Sequence, residues 1–157
     1  MTTHDDPARP DTGGAILPSA AEMRSIIEDG RRARLAEKER AAKAAEDEKT
    51  HRKELFLSSS LTPETIDRIM GRVRSAAGNG ESEILLGHFP SDWCTDGGRK
   101  INAREDGWPD TLQGVAREFY EFWQQDLKAK GFVLSVEIIS FPGGMPGDVG
   151  VTLAWGA

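Results

Sequence analysis

The sequence predicts an α+β fold: a long charged N-terminal helix followed by a small α-β-α-β-β domain that ends in an antiparallel hairpin. Three observations predict it. Ten of the eleven aromatic residues lie between Phe89 and Trp155, so the last hundred residues must build the core. Residues 28–54 are almost wholly Ala, Arg, Lys and Glu, the strongest helix formers. The segments 132–141 and 149–155 each alternate apolar and polar residues with the period of a strand, and the turn PGGMPGD joins them.

In chain order, residues 1–18 are rich in Asp, Pro, Thr and Gly and are expected to be a disordered tail. Residues 19–57 form the charged helical arm. Ser19 and Glu22 have capping-box spacing, and Met23, Ile26 and Ile27 follow on one helix face. Acid-first pairs at i,i+4, such as Glu28–Arg32, Glu39–Lys43 and Glu48–Arg52, support a solvated helix. A heptad register begun at Met23 places Gly30, Glu37, Ala44 and His51 at its next four a positions and Ile26, Ala33, Arg40, Asp47 and Glu54 at d, so no coiled-coil seam is sustained.

Residues 58–157 form the compact α+β domain. Ser58–Ser60 breaks the arm, and Thr62–Pro63 caps a second helix whose stripe is Ile66, Ile69, Met70 and Val73. Gly78–Asn79–Gly80 ends it. Residues 83–89 (EILLGHF) predict a short buried strand closed by Pro90. Residues 90–108 have no periodicity and are expected to be a long irregular loop. Pro109 and Asp110 begin a third helix with a wide apolar face, ended by Gly131. The strand from Phe132 and the strand through Val149, Val151, Leu153 and Trp155 complete the hairpin. A helical link from the first strand to the second forms a right-handed crossover if the two are parallel.

Net charge is −6 overall, but its distribution says more. Residues 1–18 have a net of −2, residues 19–57 set ten basic against nine acidic side chains, and residues 58–157 set nine against fourteen. No region has the basic excess of a protein held on a phosphate backbone, so nucleic acid is not the expected partner. Cys94 is the single cysteine, which fits a reducing compartment. No segment reads as a secretory signal or a membrane span. The expectation is a soluble cytoplasmic protein, and the Ala, Arg and Gly bias of the arm and tail fits a bacterial origin.

The loop 90–108 is the first place to look for chemistry. Cys94 with His88 as its base would make a thiol nucleophile, but no third group orients the pair. His88, Asp92, Cys94 and Asp96 lack zinc or calcium ligand spacing. Gly97 and Gly98 can present successive amides, with Arg99, Lys100 and Arg104 nearby, as an anion site requires. Asp92, Asp96, Glu105 and Asp106 offset that charge. PGGMPGD lacks the ending of a phosphate-binding loop and reads as a turn with Met145 at its tip. Trp93 and Trp108 bracket the loop, either as binding hot spots or as staples onto the core.

The residues therefore assign no cofactor, no metal and no complete catalytic set, and lean against an enzyme. The leading expectation is a non-enzymatic interaction or adaptor protein. Its partner would be a protein met through the arm, with Met23, Ile26, Ile27, Trp93, Trp108 and Met145 as contact candidates. The alternative is a regulatory domain that binds an anion, nucleotide or RNA through Gly97, Gly98, Arg99 and Arg104.

Overall fold

The computed structural model describes residues 13–156. Residues 1–12 of the expected tail, and Ala157, lie outside the described residues. The chain divides into two units, Met1–Asp47 and Glu48–Ala157. Helix α1 (Ala20–Ser58) contributes to both.

In the first unit the capping box forms as its spacing requires. Ser19 N donates to Glu22 Oε2 at 2.6 Å, and Glu22 N donates to Ser19 Oγ at 3.1 Å. Two orphan donors of the first turn are thereby satisfied. No residue of α1 is buried. Such a helix rests on intrinsic propensity and on neighbouring charge pairs. Arg52 meets Glu48 at 2.7 Å, four residues away. Arg31–Glu28 and Arg40–Glu37 pair at three residues, so Glu28 reaches Arg31 and not the expected Arg32.

The second unit is an α+β body. Helix α2 (Pro63–Gly78) begins where Thr62 Oγ1 accepts from Thr65 N at 3.2 Å, with Pro63 at the first helical position. It ends at Asn79, followed by Gly80 in the left-handed region. Strand β1 spans Glu83–Pro90, β2 Val133–Ile138 and β3 Asp148–Ala154. The sheet order is β1-β3-β2 and both pairings are antiparallel. The expected hairpin is β2–β3. Strands β1 and β2 run the same way, as a helical link between them needs, but β3 lies between them. In this central strand Val149, Val151 and Leu153 face the core, and the small residues Gly150, Thr152 and Ala154 occupy the other face.

Expectation and structure differ in three places. Strand β1 is an edge strand, and Leu85 points outward, 44% exposed. A bulge between Leu85 and Gly87 leaves Leu86 outside the regular pairing. Arg72 covers that irregularity, with Nη1 donating to Leu86 O and Nη2 to Leu85 O.

The segment 90–108 is ordered, not an irregular loop. It holds a 3-10 turn (Ser91–Trp93), helix α3 (Arg99–Ala103) and the start of a second 3-10 turn (Trp108–Thr111). Helix α4 (Gly114–Phe122) therefore starts later than Pro109. Gly114 has φ +58°, and a Cβ there would stand 2.3 Å from Phe56 O and 2.8 Å from Leu57 Cα. The last residues of α1 press against the start of α4, and only glycine fits at that point. Beyond Phe122 the helix widens into a π turn, Trp123–Leu127, then tightens to Lys128–Lys130, and Gly131 ends it at φ +93°.

Two apolar clusters form the core on one face of the sheet. One gathers Phe89, Cys94, Ile101, Leu112 and Val149; the other gathers Val73, Phe119, Leu127 and Leu153. Phe56 belongs to the first, 4.9 Å from Phe89 and 4.8 Å from Trp93 by ring centroids. This is why the second unit takes in the end of α1.

Candidate functional site

Three features could carry function: the segment after β1, the exposed start of α1, and an apolar cleft in the second unit.

The segment after β1 is held by its own hydrogen bonds. Asp96 turns its carboxylate back on the chain, accepting from Gly98 N at 3.0 Å and from Lys100 N at 2.9 Å. These amides are among those an incoming anion would use, and Asp96 already fills that position. Gly97 and Gly98 both have positive φ, and a Cβ on Gly98 would meet Ser91 Cβ at 2.8 Å. The glycines thus serve a tight turn packed on Ser91.

Arg99 Nη1 lies 3.3 Å from Glu105, and Arg104 Nη2 lies 4.0 Å from Glu137. The two guanidiniums therefore have different carboxylate partners, one within the segment and one on β2. Ser91 N donates to Gly147 O at 2.9 Å and Ser91 Oγ to Pro146 O at 3.1 Å, which ties the segment to the PGGMPGD turn. Met145 stands exposed in that turn (69%).

The structure does not bring Cys94 and His88 together as a nucleophile and base. His88 Nδ1 is hydrogen-bonded to Asp148 Oδ2 at 2.8 Å. Cys94 is 4% exposed and packs in the first cluster. Burial, and secondarily the Asp96 charge, push its thiol up to about 11, against a weaker lowering by the Thr111 hydrogen bond. A thiol so placed is protonated at neutral pH and is a poor nucleophile. Among the described residues no group of three or more His, Cys, Asp and Glu could hold a metal ion.

Trp93 and Trp108 are half-buried against the first cluster, and Trp108 meets Tyr120 edge-on at 5.5 Å. Gln113 Nε2 donates to Trp93 O at 3.1 Å. Both tryptophans staple the segment onto the core.

The start of α1 is different. Met23, Ile26 and Ile27 are 40%, 61% and 57% exposed. Ile16 and Pro18 come alongside Met23 and Ile26 to line a shallow groove. Pro18 and Met23 hold the two positions of a hydrophobic staple around the capping box.

The cleft lies in the second unit and was not foreseen from the sequence. It measures about 180 Å³ and is bounded by Phe56, α2, β1, α4 and the inner faces of β2 and β3. Its walls are almost wholly apolar, with Thr65, His88 and Tyr120 as the polar side chains. It borrows residues from both core clusters, so it marks the seam between them. The one sequence signal for it was Gly87 in a strand otherwise rich in large residues.

Among the described residues no helix is long and apolar enough to cross a membrane. No protein-family model, no curated protein and no solved structure matches this chain.

Proposed function

We propose that this is a small interaction protein that docks on a protein partner through the first turns of α1. The observation that supports this reading is the exposure of Met23, Ile26 and Ile27 on a helix of 39 residues that buries none of them. Solvated helices of Ala, Lys, Arg and Glu have no need of such a cluster. Residues at i, i+3 and i+4 are the anchors by which an amphipathic helix enters an apolar groove. The adjoining Ile16 and Pro18 extend the apolar surface beyond a single turn. The capping box fixes where the helix begins and so holds the anchors in register.

The anion reading at Gly97, Gly98, Arg99 and Arg104 draws no comparable support, because Asp96 occupies the amides it would use.

The test is photo-crosslinking of the full chain in native extract from a probe placed at Ser25. The expected result is a discrete protein adduct, lost in Ile26→Asp/Ile27→Asp and retained in Arg99→Ala. An adduct that survives the double substitution, or that disappears with Arg99→Ala, would overturn the proposal.

A further inference from the structure

We infer that the cleft in the second unit is a binding site for one small uncharged apolar molecule of about six to eight non-hydrogen atoms, such as a single aromatic ring or a short alkyl chain. The inference goes beyond docking through α1 and is independent of it.

Size comes first. Protein interiors are close-packed and leave few voids larger than a water molecule. A volume of about 180 Å³ exceeds the roughly 150 Å³ known to admit benzene in an apolar protein cavity.

The lining then excludes the other occupants. An ordered water needs two to four polar partners, and the walls supply few. Of the polar side chains on the lining, His88 already has Asp148 as its partner. A charged ligand would lose its hydration with no fixed opposite charge to replace it.

The walls are also held apart by features that do not relax. The backbone that carries Phe56 is fixed where it presses on Gly114. The bulge beside Leu86 is fixed by the two Arg72 hydrogen bonds. At Gly87 a Cβ would meet no heavy atom within 4 Å, so the strand leaves space where a side chain would normally stand. Ala116, the small residue of α4 on the lining, does the same from the opposite side.

The experiment uses the full chain with benzene, toluene and benzoate as probes, read by thermal unfolding, together with xenon binding by NMR. Toluene and benzoate share a ring and differ in charge. The expected result is a saturable rise in Tm with benzene and toluene, none with benzoate, and a saturable xenon shift. Ala116→Leu, which fills the cleft, should weaken toluene at least tenfold, whereas Ala129→Leu on the exposed 3-10 turn should not. Absence of both the Tm rise and the xenon shift in the unsubstituted protein overturns the inference. So does equal toluene binding by a folded Ala116→Leu.

Discussion

Gly114→Ala is the sharpest test of how the second unit is put together. The added Cβ meets two penalties. Ala at φ +58° sits in the left-handed region, which costs about 1–2 kcal/mol. It also lands 2.3 Å from Phe56 O and 2.8 Å from Leu57 Cα, well inside the 3.0 Å that real Cβ contacts respect. Both neighbours are backbone, so relief requires moving the end of α1, and overpacking of this kind costs about 1–3 kcal/mol more. The sum is about 2–5 kcal/mol, or a fall in Tm on the order of 10–20 °C. Urea unfolding followed by tryptophan fluorescence is the assay, because all four tryptophans lie in the second unit. Gly71→Ala is the control. Gly71 sits inside α2, has no positive φ, and an added Cβ would meet nothing within 4 Å, so the substitution should stabilise by about 0.5–1 kcal/mol. A Gly114→Ala protein within about 0.5 kcal/mol of the unsubstituted chain would refute the close approach of α1 to α4.

Phe56→Ala should cost about 3–5 kcal/mol in the same assay, since it removes a ring packed at a tilt against both Phe89 and Trp93. A cost under about 1 kcal/mol would place the end of α1 outside the core. Asp96→Ala should cost about 0.5–2 kcal/mol by uncapping Gly98 and Lys100, measured as a lower urea midpoint with an unchanged slope. Cys94 should resist iodoacetamide at pH 8 in the native protein and react promptly once unfolded, because its thiol is buried and its pKa is raised. The linkage follows: the thiol ionises near 9 in the unfolded chain and near 11 in the native one. Its contribution is therefore intact below pH 9 and is lost as pH rises toward about 11. Substitution by alanine should flatten that alkaline decline.

What the sequence determined by itself is local. The capping box at Ser19 and Glu22, the Thr62–Pro63 start of α2, its stop at Asn79–Gly80 and the Gly131 helix end each depend on residues within one turn of chain. All four are where the spacing puts them. The β2–β3 hairpin was legible for the same reason, since alternation and an intervening turn specify a neighbour pairing.

The tertiary structure decided what depends on partners far along the chain. Whether β1 is buried depends on which strand takes the centre, and that place falls to β3, the last strand in the chain. The segment after β1 looked irregular because its order comes from turns, backbone hydrogen bonds and the Asp96 cap, none of which repeats with a period. Phe56 read as the last residue but one of a solvated arm, and only contact with Phe89 and Trp93 makes it core. The cleft was the least legible feature of all. A void is set by the distances between walls drawn from α1, α2, α4 and three strands, and no short stretch of sequence encodes such distances.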